Sequence, residues 1–403
     1  MTKENFIPDF YSGGCHVDYY WDSHINTSVH AITKVRLPFL NYLMVINFQS
    51  LRTTQRKNIL NIFINYTYII ISIVLIQEVS KKYICKKRCI MNIKQLLKYG
   101  QDELNKNDIE DASIKAEILA EFVLNVNRQK IIVDGENEVT KENEIEYKKY
   151  VDELIEGRPI QYITNSREFF GNVFYVDENV LIPQPDTEVL VEEALKVIEE
   201  KSNKSESKVK ILDLCCGSGC IGISIANKLR DDKIQGFEID FADISEEALE
   251  ITKKNLYNIF YRDNLLKKFE SNELEKNKEN DNSRKYSFNF ILTNMFENID
   301  KNYDVIVSNP PYIKRDEISK LSKEVQNEPK IALDGGIDGL DFYRIILVNG
   351  RNYIYEKGIL VLEIGDTQKD EITRLLNDNL YKNYYYLKDY AGNDRVLVIK
   401  KGD

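Results

Sequence analysis

The chain has 403 residues, with 55 Lys and Arg against 65 Asp and Glu, a net charge of −10. That length exceeds a single compact core and predicts two or three domains. The acidic balance argues against coating nucleic acid through wide phosphate neutralisation, though not against a local basic patch.

Six cysteines, at 15, 85, 89, 215, 216 and 220, show no paired-knuckle spacing. Cys85 and Cys89 have no second pair, so no metal site is expected. No convincing signal peptide precedes the chain, which predicts free thiols in a reducing, cytoplasmic setting.

Residues 1–90 differ from the rest and hold Trp21, His16, His24 and His30. Residues 58–76, NILNIFINYTYIIISIVLI, carry no charge. That length can cross a bilayer. Three Asn inside it and basic residues on both flanks weaken the case. A membrane anchor, a buried or ill-defined hydrophobic extension and an over-long reading frame whose true start is Met91 all remain open. A membrane partner is expected only if 58–76 is a real span.

From Met91 to about Glu156 apolar residues recur at helical spacing: Ile93, Leu96, Leu97, then Ala116, Leu119, Phe122, Val123. They predict a small helical bundle, with Asp111 as a helix N-cap. PIQYITNSREFFGNVFYVDENVLIP, 159–183, alternates with period two around Gly171–Asn172, and predicts a hairpin. Pro183 and Pro185 then bracket a stiff turn, where Asp186 or Thr187 can cap a helix from Glu188.

Strands and helices alternate from residue 208 to the C-terminus. KVKILDLCC, IQGFEIDFAD, FNFILTNMF, YDVIVSN and GILVLEIG read as strands, and two more close the chain. Repeated β-α alternation predicts an α/β, doubly wound, mainly parallel sheet. Residues 267–285 are almost wholly polar and predict an inserted surface loop.

The first of these strands runs into Asp213, Cys215, Cys216, Gly217, Ser218 and Gly219. Such a turn lets the backbone approach a ligand, with a helix N-terminus facing it. The G-x-G-x-x-G match with Gly222 is weak alone, because dinucleotides and S-adenosylmethionine both use such a turn. For the latter, Asp213 is placed to meet an amino-acid moiety, and Asp243 to bind ribose hydroxyls. Asp240 competes with Asp243 but is equally well read as an exposed strand residue. Met295 and Phe296 can wall an adenine, and Asn294 can contact its edge; core packing of Phe296 is the alternative.

Strand YDVIV ends at Asn309-Pro310-Pro311-Tyr312. Two prolines forbid further sheet pairing, so the strand stops in a rigid elbow. Asn309 offers a side-chain oxygen, Pro310 a backbone carbonyl, and Tyr312 a ring. Two acceptors suit an NH₂ group whose lone pair is delocalised, as in an amide or aromatic amine. A plain strand-to-loop stop with a surface tyrosine is the bland alternative.

These stretches resemble the bacterial-type peptide chain release factor N(5)-glutamine methyltransferases. The resemblance rests on PIQYIT, REFFG, LIPQPDTE, ILDLCCGSG, ADIS, VSNPPYI, NEPKIALDGGIDGL, LVLEIG and DYAGNDRV. It implies a helical substrate-recognition domain over 91–158, a hairpin linker over 159–184, and a seven-stranded S-adenosylmethionine-dependent methyltransferase domain over 185–403. It implies methylation of the glutamine in the Gly-Gly-Gln loop of class I release factors. A monomer is expected separately. Asn309, Pro310, Pro311 and Tyr312 would hold the glutamine, with Asn309 also bordering the donor. Cys215 to Gly219, Asp243 and Met295 would line the donor site. Phe169 or Phe170 would close the pocket, core packing being the alternative. Gln184 stands for a usual Arg, Asn165 for Gly, and Asn294 for Asp. Cys215 and Cys216 stand for smaller residues, which the loop tolerates if its angles are not left-handed. An N6-adenine methylase on DNA or RNA, a ribosomal-protein glutamine methyltransferase and a non-catalytic donor-binding protein remain as alternatives.

Overall fold

The computed structural model describes residues 90–402 apart from 203–207, 233–235 and 263–285, and before them only part of 52–76. The chain divides into two compact units, Met1–Cys89 and Ile90–Asp403. Of the uncharged run 58–76, the described residues are helical. Among the described residues no helix is long and apolar enough to cross a membrane. Trp21, the three histidines, Cys15, Cys85, Cys89 and the polar run 267–285 lie outside the described residues.

The second unit opens with four helices: α1 (Ile93–Lys106), α2 (Ala112–Leu124), α3 (Arg128–Val133) and α4 (Lys141–Glu156). Asn92 and Gln95 exchange side-chain bonds with each other's backbone N–H, so α1 starts in a capping box. Leu96, Ala116, Leu119, Tyr147, Val151 and Leu154 form the bundle core. Asp111 departs from its expected role. Its φ is 54° and its side chain makes no cap bond, because the chain turns there in the left-handed region rather than entering the helix extended.

PIQYIT is also a correction: Ile160–Thr164 is a helix, α5, not a strand. A short buried apolar run cannot be assigned by periodicity alone. Here Asn165, at φ 50°, ends the turn, and the Tyr162 hydroxyl donates to the Val180 carbonyl at 2.6 Å. The hairpin is shorter than expected, β1 (Arg167–Phe169) against β2 (Asn172–Phe174). The stiff turn is a 3₁₀ turn, Pro185–Thr187, running into α6 (Glu188–Ser202). Neither Asp186 nor Thr187 caps it, because both side chains bond elsewhere.

The sheet contains β3 (Val209–Leu214), β4 (Phe237–Asp243), β5 (Tyr286–Leu292), β6 (Tyr303–Ser308), β7 (Ile354–Glu363), β8 (Tyr384–Lys388) and β9 (Asp394–Lys400). Its order is β5-β4-β3-β6-β7-β9-β8. The strands from β5 to β7 are parallel, and β9 runs antiparallel between β7 and β8. This is the expected doubly wound, seven-stranded, mainly parallel fold. Between its strands lie α7 (Cys220–Asp231), α8 (Glu246–Leu256), α9 (Lys323–Gln326), α10 (Lys330–Leu333), α11 (Asp341–Asn349) and α12 (Lys369–Asp378).

Alternate strand residues face opposite cores. Ile211, Val307 and Val361 pack on one side with Leu190 and Ile225. Leu212, Ile306 and Leu360 pack on the other with Ile346 and Leu376. Asp240 is not exposed: it is fully buried, held by the Tyr303 hydroxyl at 2.6 Å and Asn289 Nδ2 at 2.7 Å. β5 ends at Leu292, so Asn294, Met295 and Phe296 lie in the turn beyond it. After β5 the chain returns to the other side of β3. That reversal opens a crevice beyond the carboxyl ends of β3 and β6.

Candidate active site

The loop after β3 occupies one side of this crevice. Gly217 and Gly219 have φ of 55° and 76°. Among the described residues a Cβ on Gly217 would meet nothing within 4 Å, whereas one on Gly222 would strike the Phe241 ring at 2.5 Å. The first glycine thus leaves open space for a ligand beside the backbone, and the second lets α7 press onto β4. Cys215 has φ 61° and Met295 φ 52°, so the loop is left-handed at a cysteine. Their sulfurs lie 3.9 Å apart, which supports two residues in a conformation L side chains disfavour. Burial drives the Cys215 and Cys216 thiols well above their ordinary range, so both stay protonated and are not nucleophiles.

Asp243 ends β4 against this loop. Its Oδ2 accepts the Gly217 N–H at 2.9 Å, and its Oδ1 accepts the Ser245 N–H at 3.0 Å. Burial raises its pKa, and these backbone bonds oppose the rise. Ser245 caps α8 by accepting the Ala248 N–H. Asp213 sits elsewhere than expected. It is fully buried and accepts the Gly222 N–H at 2.9 Å, but it is absent from the cleft lining. Among the described residues its Oδ1 has no partner, and burial pushes its pKa up to about 7.

The cleft is walled by Cys215 to Ser218, Asp243, Ile244, Thr293 to Met295, Asn309 and Pro311, with Leu181, Pro183 and Phe342 across it. Apolar walls, an acid at a strand end and a glycine open to the ligand fit an adenosyl group. Met295 lines the cleft as expected. Asn294 also lines it, with Nδ2 donated to Glu297 at 2.9 Å. Phe296 stacks on Tyr353, centroids 4.8 Å apart, outside this cleft. Phe169 is buried against Phe174 in the core, and Phe170 packs on that core. Neither borders the cleft, so core packing is the reading the geometry supports for both.

β6 delivers the elbow, where the Ser308 hydroxyl donates to the Leu214 carbonyl at 2.6 Å. NEPKIALDGG braces it from outside. Ile313 N–H donates to the Leu333 carbonyl and Gly335 N–H to the Ile313 carbonyl. A Cβ on Gly335 would strike Tyr312 Cα at 2.7 Å. Gln368 Nε2 donates to the Tyr312 carbonyl at 3.0 Å.

Behind the elbow lies a second cavity, bordered by Gln184, Asp186, Asn309, Tyr312, Glu328, Glu363 and Arg395. Asn309 borders both cavities. Its Nδ2 donates to Thr187 Oγ1 at 3.4 Å. Among the described residues, no donor meets Asn309 Oδ1 or the Pro310 carbonyl. The Thr187 hydroxyl donates to Glu363 Oε2 at 2.6 Å. Burial pushes both Glu363 and Glu328 up to about 7. Sequence reasoning did not assign Thr187, Glu363, Glu328 or Arg395 to the site. One signal was available: Glu363 is an acid in the otherwise apolar LVLEIG stretch, at the end of β7.

The chain matches three family models: the PrmC N-terminal domain over residues 95–164, the methyltransferase small domain over 191–275, and the Eco57I restriction-modification methylase over 238–361. A release factor glutamine methyltransferase of Clostridium acetobutylicum is 35% identical over 313 residues, covering 77% of this chain and 99% of that protein. One from Fusobacterium nucleatum is 34% identical, covering 74% and 76%. Among solved structures, a release factor-specific protein-(glutamine-N5) methyltransferase from Alicyclobacillus acidocaldarius is 25% identical. It covers 57% of this chain and all of that one, with a TM-score of 0.30.

Proposed function

The chain belongs to the family of release factor glutamine methyltransferases, and from that premise we propose that Asn309 receives the glutamine of a Gly-Gly-Gln loop in a class I release factor. The enzyme transfers a methyl group from S-adenosylmethionine to the side-chain amide nitrogen of glutamine in a release factor. The observation that carries the placement is Asn309 at the end of β6: it borders both cavities, its nitrogen is committed to Thr187, and among the described residues its oxygen has no partner.

S-adenosylmethionine, once bound, supplies a methyl carbon already activated by a positively charged sulfur. The protein need add no metal; its work is alignment and exclusion of water. The glycine loop and Asp243 hold the donor side. On the other side, Asn309 Oδ1 and the Pro310 carbonyl accept the two carboxamide N–H bonds. That holds the NH₂ and favours a pyramidal nitrogen, whose lone pair is otherwise delocalised. The ring of Tyr312 covers the carboxamide plane. Gln368, Leu333 and Gly335 keep the elbow from relaxing when substrate leaves.

We further propose that the enzyme works as a monomer in the cytoplasm, on protein and not on nucleic acid. The net charge of −10 disfavours a polyanion. The match to a restriction-modification methylase model gives adenine methylation as the second reading. Labelled donor offered with a release factor, a ribosomal protein and duplex DNA in parallel separates them. Label in the Gly-Gly-Gln tryptic peptide supports the proposal; label confined to nucleic acid or ribosomal protein refutes it.

A further inference from the structure

Two buried side chains, Glu363 and Thr187, meet the half-buried Asn309 behind the elbow. Glu363 on β7 is 1% exposed and accepts a hydrogen bond from the Thr187 hydroxyl at 2.6 Å. Thr187 Oγ1 in turn faces Asn309 Nδ2 at 3.4 Å. The Tyr312 side chain borders the same cavity and favours the charged form of Glu363. The chemistry of this chain is directional. An ionised carboxylate can only accept, and a hydroxyl has a single hydrogen. Once Thr187 gives that hydrogen to Glu363, only its lone pairs remain for Asn309. Asn309 must then turn its NH₂ inward, which leaves Oδ1 on the acceptor side. A flipped Asn309 fills the same space with nitrogen and oxygen exchanged.

We infer that Glu363 is a positioning residue for methyl transfer: through the Thr187 hydroxyl, its carboxylate selects the Asn309 orientation that offers oxygen to the incoming carboxamide. The inference rests on the reading of Asn309 as the acceptor-binding amide. It goes beyond that reading by giving the site a proton-controlled state. A protonated Glu363 can donate to Thr187 Oγ1. The Thr187 hydrogen then turns to Asn309, the amide flips, and NH₂ faces NH₂ with no bond between them.

The groups around Glu363 set where this happens. Asp186 precedes α6, Arg395 lies on β9, and Tyr312 is on the elbow. Cys220 begins α7, and from α11 the Tyr343 hydroxyl donates to the Glu363 backbone carbonyl at 2.9 Å. Arg395 is shared with Asp389 at 3.1 Å and Asp186 at 3.3 Å, so it only partly neutralises Glu363. Burial is the largest influence and lifts the carboxyl to about 7, with the Thr187 bond and Arg395 opposing it. The switch therefore falls within the neutral range.

The test uses the full chain with S-adenosylmethionine and a release factor, and measures kcat and KM across the neutral range. Wild-type kcat should fall with a one-proton limb as pH drops through about 7. Glu363→Gln should lose that limb and run about tenfold to a hundredfold below the wild-type plateau, the usual effect of removing an orienting partner. Thr187→Val should match it, and Thr187→Ser should restore the wild-type profile. An unchanged kcat and pH limb in Glu363→Gln overturns the inference. A second readout needs no turnover. In protein labelled with ¹⁵N at Asn and bound to S-adenosylhomocysteine, the Asn309 NH₂ resonance is assigned by its loss in Asn309→Ala. It should titrate in the wild type and not in Glu363→Gln; a resonance that ignores pH overturns the inference. A wild type that shows this titration yet methylates no glutamine supports the relay and defeats only the reading of function.

Discussion

Asp243 takes the Gly217 backbone N–H on one carboxylate oxygen at 2.9 Å, locking the end of β4 to the glycine loop after β3. The second oxygen holds the Ser245 N–H, at the start of α8. Each oxygen keeps a further lone pair for a ligand hydroxyl. Asp243→Asn keeps the shape but turns one acceptor into a donor. Affinity for S-adenosylhomocysteine, measured by calorimetry, should fall about tenfold to a hundredfold, the loss expected for charge-assisted bonds. Unchanged affinity would make Asp243 a loop brace alone.

Asn309 and the donor wall are separable. Asn309→Ala should leave donor affinity within about twofold while kcat falls at least a hundredfold, the scale for losing an oriented polar group at the reacting centre. Parallel loss of donor affinity and kcat would contradict an acceptor-side role.

Cys215 sits at φ 61°, where glycine is the unstrained residue. Cys215→Gly should raise unfolding stability by about 1 kcal/mol, relief of the left-handed penalty exceeding the lost contact with Met295. Thermal and urea denaturation read this. A destabilised variant would mean that the sulfur pair supports the loop more than the strain costs.

Asp213 gives a pH signature in stability. Its pKa is raised by burial to about 7, so its protonated form belongs to the folded state. Its contribution is full below the ordinary carboxylate range and is lost as pH rises toward 7. Asp213→Asn cannot ionise and can still accept the Gly222 N–H. Above neutrality the variant should therefore exceed wild type by roughly 1–3 kcal/mol in urea unfolding. The two should converge at the acid end of the range. A constant difference at all pH values would contradict the buried, ionising Asp213.

What the sequence made legible was local. The glycine loop, the double-proline elbow, Ser245 as a cap and Asp243 each declare themselves within a few residues, and β-α alternation orders them into one sheet. The rest depended on tertiary neighbours. PIQYIT is too short and too apolar for period alone to separate helix from strand. Asp240 alternates as an exposed residue should, yet Tyr303 and Asn289 bury it. Thr187 and Glu363 are 176 residues apart, and Thr187 reads from sequence as a helix cap. Only the folded sheet brings its hydroxyl under Asn309 and above an acid from β7.

The most direct test of the account is a crystal structure of the enzyme with S-adenosylhomocysteine and a Gly-Gly-Gln peptide. The glutamine carboxamide nitrogen should lie within hydrogen-bond distance of both Asn309 Oδ1 and the Pro310 carbonyl, in line with the donor sulfur. A carboxamide bound elsewhere, or an elbow whose two oxygens turn from the cleft, would contradict it.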